Sequence, residues 1–351
     1  MRLQFMRNDR VYNIMASGTA PELYPTETFF CIIYCENNDA IEIPKQYPFH
    51  HGWGVVADYS IMMDNYYSTP VKLDMVWLSI VERQFYSIVK ELSTETIVKI
   101  WESHDFNHIL IGMAPYGLVA IWFVSELKSA LVDCIHAEPI EVGMNFFLPS
   151  NPRESLIDYC EAYINEDEAV FENLKENGLP PKNLFGKYMQ QFTYKYLPLF
   201  EHWDEDKGEW QKYDEEEILP EFEYIEEALF DGTHDKLHDG GLMNYHEAGK
   251  PKKLAVKWHV KKSDFTAYYW FEDEEICRIC DRFYGAHPNT KTDFIIRIDS
   301  ENNKYELALY RYGLKEPLVI SESAYQLIVF KDKFECFRSE NYDQPTGAWI
   351  W

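Results

Sequence analysis

Basic residues are scarce in this sequence. Against 59 Asp and Glu stand only 33 Lys and Arg, a formal charge of −26 over 351 residues. That shortage excludes ordinary electrostatic binding of nucleic acid or anionic lipid, because phosphate repels so negative a chain. Long apolar runs are missing too: the densest, around Leu118 to Val124, falls far short of the roughly 18 residues of a membrane span. The opening MRLQFMRNDRVYNIMASG carries arginines but no continuous apolar core and no cleavage site, so no export signal is expected. Cysteines number seven and lie scattered among apolar residues, the usage of reduced thiols. These absences point to a cytoplasmic protein with no membrane or nucleic-acid partner. Also missing are a Gly-x-Ser-x-Gly elbow, a phosphate-binding Walker loop and a dinucleotide fingerprint. Nothing selects a Ser/His/Asp or Cys/His set, and no cofactor is implied. The expectation is a protein that is not an enzyme.

What the chain does have is apolar and aromatic mass. Hydrophobic residues make up 46% and aromatics 16%, enough for one large core or two ordinary ones. The patterning gives an α+β fold class. Residues 1–150 read as an α+β domain, 151–250 as an acidic, helical and aromatic-rich connecting region, and 251–351 as a second α+β unit. In the first, TFFCIIYC (28–35) and VKLDMVWLSI (71–80) have strand composition. Phe85, Ile88, Val89 and Leu92 follow helical spacing, and Ile97, Ile100 and Trp101 share the face of a second short helix that begins at Ser93. FNHILIGMAPYGLVAIWFV reads as strand, Pro-Tyr-Gly turn and strand, and SALVDCIHAEPIEV extends it to an antiparallel meander. Residues 154–176 read as an acidic helix closed by Gly178, and DGTHDKLHDGG as a loop. From about Lys252 the order of elements repeats: LAVKWHV matches LDMVWLS, and DFIIRID with YELALYRYG matches NHILIG with LVAIWF. Two related units are expected, each a mainly antiparallel sheet with a few packed helices.

One region resembles a known family. Trp77, Glu82, Phe85, Tyr86, Leu92, Pro115, Gly117 and Trp122 fit the pattern of an uncharacterised bacterial domain-of-unknown-function family numbered 2931. The pattern is a Trp-bearing strand, Glu-x-x-Phe-Tyr, a helix start after Leu, and a turn leading into a second Trp-bearing strand. Ser93 stands where the family usually has Pro, and Tyr116 where the first turn Gly is usual. The resemblance covers about residues 70–125. Genes of this family often lie beside antibacterial toxin genes of contact-dependent and type VI secretion systems. The resemblance therefore implies an immunity protein in interbacterial competition, without identifying a toxin.

Two constellations could carry other chemistry. His234 and His238, flanked by Asp235 and Asp239 and followed by His246, would share a face on a helix and could hold zinc. That makes a metal-dependent hydrolase or metal-regulated binder an alternative, although the acid of an HExxH helix is absent. Cys277 and Cys280 have the spacing of half a zinc knuckle, but Ile276 and Ile279 beside them favour the buried side of a helix. Cys31 and Cys35 fall on one face of an apolar strand, as core residues do, and His50-His51 reads as an exposed turn.

The most unusual segment is WDEDKGEWQKYDEEEILPEFEYIEEALFD, residues 203–231. A disordered acidic linker would be poor in aromatics; here they alternate with acids. Aromatic anchors ringed by carboxylates suit a basic protein, since opposite fields steer encounter. The candidate contact residues are Trp203, Asp204, Glu205, Asp206, Glu209, Trp210, Tyr213, Asp214, Glu215, Glu216, Glu217, Glu223, Tyr224, Glu226 and Glu227. Phe222, Ile225, Leu229 and Phe230 are expected to line one helical face. The partner would be a basic toxin, such as a nuclease or nucleotide-handling enzyme, blocked at its active site or in its access to substrate. A nucleic-acid mimic that inhibits a DNA- or RNA-binding enzyme is a further alternative. The plainer reading has the aromatics packing on the chain's own sheet with the acids solvated. A separate open question is whether the basic run Lys250–Lys262 docks internally on the acidic stretch, which would reduce the surface available to a partner.

Overall fold

The computed structural model describes residues 11–338 apart from 44, 46–47, 57–65, 152, 214–218, 286, 288, 300–303, 319–323 and 332–334. Strands dominate and helices are few, the mainly-sheet α+β class. Contacts divide the chain between Gly186 and Lys187 into two compact units.

In the first unit the strands are β1 (Met15–Thr19), β2 (Thr26–Cys35), β3 (Ala40–Glu42), β4 (Pro70–Ser79) and β5 (Gln84–Glu91). Helix α1 (Thr94–Trp101) follows, then β6 (His108–Ala114), β7 (Leu118–Val124), β8 (Ser129–His136) and β9 (Glu138–Ile140). Two helices, α2 (Leu156–Glu166) and α3 (Glu168–Asn177), close the unit. One sheet has the order β9-β5-β4-β2-β3; the other is β8-β7-β6-β1, with β1 parallel to β6. Alternation sorts the side chains by face. Ile33, Leu73, Met75 and Trp77 of the first sheet meet Ile109, Ile111, Val119 and Ile121 of the second, while Val76, Leu78 and Phe85 turn outward onto Cys160, Ile164 and Val170 of α2 and α3. The first sheet is thus buried on both faces where α2 and α3 cover it, which is why Met75–Leu78 of β4 is an unbroken apolar run, whereas Lys72 and Asp74 break the pattern at its start.

The second unit comprises β10 (Phe192–Phe200), β11 (His202–Asp204), β12 (Glu209–Gln211), β13 (Glu221–Leu229), β14 (His234–His238), β15 (His246–Ala248), β16 (Pro251–Val260) and β17 (Ser263–Trp270). After these come α4 (Asp273–Tyr284), β18 (Thr292–Asp299), β19 (Lys304–Arg311), β20 (Leu314–Leu318), β21 (Tyr325–Lys331) and β22 (Glu335–Arg338). Its sheets run β14-β13-β16-β17-β21-β22 and β15-β10-β18-β19-β20, with β10 parallel to β18. Tyr196, Leu254, Trp258, Tyr269, Phe294, Ile296 and Leu307 form the core, closed by Ile276, Ile279, Cys280 and Phe283 of α4. No helix among the described residues is long and apolar enough to cross a membrane.

Several local expectations are corrected. The segment holding Phe85, Ile88 and Val89 is strand β5, paired along its whole length with β4. Phe85 and Tyr86 point to opposite faces, and the helical spacing was a coincidence of a β-branched run overridden by sheet pairing. The acidic helix is two helices broken at Asp167, whose carboxylate accepts from Val170 N at 3.1 Å and caps the second; Ser155 caps the first the same way. Residues 221–229 form a strand rather than a helix, and DKLH belongs to strand β14 rather than a loop. Ser93 does cap α1, accepting from Thr96 N at 3.3 Å. The β6-β7-β8 meander is as expected.

Candidate interaction surface

The acidic aromatic segment folds into two structures. Its first part is a hairpin in which Trp203 on β11 faces Trp210 on β12, the rings edge to face at 5.3 Å. Asp204 builds the turn: its carboxylate accepts from Asp206 N at 3.1 Å, Lys207 N at 3.0 Å and Lys207 Nζ at 2.7 Å. The hydrogen bond from Lys207 holds the Asp204 carboxyl below its ordinary pKa. Gly208 takes the positive φ of 66° that closes the loop. Cations of the sheet hold the indoles: Arg297 lies 5.6 Å from the Trp210 ring and Lys304 5.3 Å from that of Trp203. Trp203 N donates to Asp299 at 2.5 Å. Both tryptophans are half-buried, whereas Glu205, Asp206 and Glu209 are exposed. Tyr213 packs its ring 3.9 Å from that of His202. Asp214, Glu215, Glu216 and Glu217 lie outside the described residues.

The second part is β13, in a different sheet from the hairpin. Here the basic run is laid against the acids, for β16 is the antiparallel neighbour of β13. Glu223 pairs with Lys257 at 3.1 Å and Glu226 with Lys236 at 3.7 Å. Tyr224 lies between two ammonium groups, Lys236 at 3.7 Å and Lys257 at 5.5 Å from its ring. Glu227 does not belong to the exterior. It is 2% exposed on the inward face with Ile225 and Leu229, and it accepts from Tyr196 Oη, with Tyr194 Oη at 3.5 Å and His246 Nε2 at 3.9 Å. Burial first, and Glu227 second, push both tyrosines well above their ordinary pKa. A second buried acid, Asp231, accepts from Thr233 Oγ1 at 2.6 Å and from Thr233 N at 2.9 Å. Desolvation raises its pKa. These inward carboxylates escaped the sequence reading, although their period-2 spacing with Ile225 and Leu229 is a visible signal once the strand is recognised.

The three histidines do not converge. His234 and His238 sit four residues apart on one strand, about 13 Å at an extended rise, and His246 belongs to the other sheet beside Tyr194 and Tyr196. One ion cannot reach both ends of β14, and the described residues contain no cluster fit to hold a metal. Cys277 and Cys280 are buried on α4 and Cys31 and Cys35 in the core, and burial raises all four thiols. Ser17 Oγ and His108 Nε2 meet at 2.7 Å, but both are buried, and desolvation lowers the His108 pKa to about 4. That pair lacks the access a nucleophile needs.

In the first unit the motif residues assemble into a joint. Trp77 stacks on Tyr86 at 5.5 Å, and Tyr86 Oη donates to Glu82 at 2.9 Å. The other Glu82 oxygen accepts from Tyr116 N at 2.9 Å, and Tyr116 holds a left-handed φ of 63°. A Cβ at Gly117 would fall 2.7 Å from the Ala137 carbonyl, so glycine alone fits there. Glu82 therefore ties the β4–β5 hairpin to the β6–β7 turn. Trp122 sits edge to face with Trp53 at 4.9 Å, close over Gly112. Residues 15–180 match the family model described as Protein of unknown function (DUF2931). The resemblance thus holds, and it reaches well beyond residues 70–125 in both directions. No curated protein and no solved structure matches the chain.

Proposed function

We propose that the chain is a cytoplasmic immunity protein that binds and neutralises a basic antibacterial toxin without performing bond chemistry. The observation that carries this reading is the β11–β12 hairpin. Exposed Glu205, Asp206 and Glu209 surround two half-buried tryptophans that Arg297 and Lys304 hold in place. Pre-held aromatic anchors lose little freedom on binding, and a rim of carboxylates steers a cationic partner. Glu223, Tyr224 and Glu226, already matched by lysines, contribute less. The family resemblance supplies the genomic argument for a toxin. The test is survival of a sensitive bacterium expressing the protein encoded by the neighbouring upstream gene, with and without this chain. Rescue with a co-purifying complex, weakened by the triple change Glu205→Lys, Asp206→Lys and Glu209→Lys, is the expected result. Toxicity without rescue would refute the proposal, and displacement of the complex by DNA would identify the chain as a nucleic-acid mimic.

We also infer that the two units derive from one ancestral unit. With the edge strands β22 and β15 set aside, the strand orders β9-β5-β4-β2-β3 and β21-β17-β16-β13-β14 correspond, as do β8-β7-β6-β1 and β20-β19-β18-β10. Both β4 and β16 read Pro-x-x-Leu-x-x-x-Trp, and in each the tryptophan stacks on its cross-strand neighbour, Tyr86 or Phe265. Duplication accounts for a family match confined to the first half: the second copy has lost Glu82's counterpart, its hairpin being closed by Lys261 and Lys262.

A further inference from the structure

The interior of the second unit holds an acid where the first holds isoleucine. The shared Pro-x-x-Leu start of β4 and β16 sets the correspondence: Glu227 lies across from Leu254, and Ile33 across from Leu73. Both positions are buried. A carboxylate in such a place costs stability unless other groups meet it. The histidine that faces it comes from β15, an edge strand of three residues with no counterpart among the described strands of the first unit. The added acid and the added strand meet each other.

Their contact has a defined chemistry. His246 lies across from Tyr194 of β10, and its ring packs 5.3 Å from that of Tyr194 and 6.4 Å from that of Tyr196. Its Nδ1 is 3.3 Å from the Asn244 carbonyl. A carbonyl only accepts, so Nδ1 carries the hydrogen, and in the neutral ring Nε2 presents a lone pair. Nε2 is buried and faces Glu227 Oε1 at 3.9 Å, while both tyrosine hydroxyls approach the other carboxylate oxygen, Oε2. Two acceptors thus oppose each other across a gap that one proton would close.

We propose that Glu227 and His246 form a proton-operated latch that fastens edge strand β15 of the five-stranded sheet to β13 of the six-stranded sheet. A proton on Nε2 turns the opposed acceptors into a charge-assisted hydrogen bond, shortening 3.9 Å toward about 2.8 Å. The backbone ladder of β15 is only three residue pairs with β10, so the side-chain bond is a large share of its attachment. The proton gains its partner only in the folded chain. The latch therefore contributes fully below the ordinary histidine value near 6.5 and is lost as pH rises through the higher folded midpoint. The tyrosines around the pair stay protonated throughout: burial, then Glu227, raises Tyr194 and Tyr196, and burial raises Tyr284 of α4. Asp231 of the β13–β14 turn also acts on Tyr194 and keeps its own bonds to Thr233, while Glu247 alternates to the exposed side of β15. Both acids are common to wild type and variants, so a difference between them removes their share.

The test is a histidine-selective nitrogen NMR titration of the full chain between about pH 9 and pH 5, with hydrogen exchange of residues 246–248 in the same buffers. His246, assigned by its loss in His246→Gln, should be the Nδ1–H tautomer at the alkaline end. Its midpoint should lie above 6.5 by about one unit, the displacement an opposite charge at this distance gives. Exchange protection of residues 246–248, corrected for the intrinsic rate, should rise about tenfold as pH falls through that midpoint. The rise should be absent in His246→Gln, and Glu227→Gln should return the midpoint to 6.5 or below. His246→Gln changes a partly exposed ring and carries the test should Glu227→Gln fail to fold. An Nε2–H tautomer at the alkaline end, a wild-type midpoint at or below 6.5, or the same rise in protection in His246→Gln overturns the proposal.

Discussion

His108 shows how one buried group sets a pH limit. It is 3% exposed at the start of β6 and bonded to Ser17, and burial lowers its pKa from the ordinary value near 6.5 to about 4. Above pH 6.5 the imidazole is neutral in folded and unfolded chains alike, and stability is undiminished. As pH falls from 6.5 toward 4, the unfolded chain takes up a proton that the native chain refuses. The loss reaches about 3 kcal/mol at the lower end, at roughly 1.36 kcal/mol for each pH unit crossed in that window. Glu27 and Asp231, whose pKa values burial raises, act in the opposite direction by binding protons more readily when folded. The His108 share is therefore read as a difference. Urea unfolding of the wild type and of His108→Gln at pH 7 and pH 4 should show the gap moving in the variant's favour by about that amount. A gap independent of pH would mean that His108 is protonated in the folded chain.

Glu82 shows how one side chain joins two elements. One carboxylate accepts from the Tyr86 hydroxyl of one sheet and the Tyr116 amide of the other. Hydrogen bonds to a charged group contribute about 1.5–3 kcal/mol each, so Glu82→Ala should lower unfolding free energy by about 2 kcal/mol or more. Glu82→Gln, which keeps one acceptor, should cost less; equal costs for both changes would argue against the joint. The motif residues were legible in sequence, but their purpose was not, because the contact between Glu82 and Tyr116 spans 34 positions. The β6–β7 hairpin, the cap at Ser93 and the buried face of α4 were legible because each is local: a turn, a cap, a helical stripe. Strands β5 and β13 were misread as helices because their apolar spacing suits either period until a neighbouring strand chooses. The candidate surface was legible in composition and only partly in place. The pairing of Trp203 with Trp210 across a hairpin was not anticipated, and Glu227 turned inward and the histidines separated, all consequences of strand geometry.

At the scale of the whole molecule, charge governs two equilibria with opposite signs. A formal charge of −26 repels itself within the compact state, so screening should stabilise the fold. The same screening weakens attraction to a cationic partner and slows steered encounter. Raising ionic strength from 0.01 M to 0.1 M shortens the screening length from about 30 Å to about 10 Å, below the span of one unit but above an ion-pair contact. Long-range repulsion and steering are removed first, and pairs such as Glu223–Lys257 at 3.1 Å persist. Over that range the melting temperature of the free chain should rise while, if the proposed function holds, the on-rate for the proposed basic partner falls, with the off-rate changing less. Measuring both in the same buffers separates the effects, because a salt that merely destabilised the protein would lower both. A melting temperature that falls with salt would show that local pairs, not net charge, dominate the fold. An on-rate indifferent to salt would remove the carboxylate rim from the binding mechanism and leave the tryptophans as its only anchors.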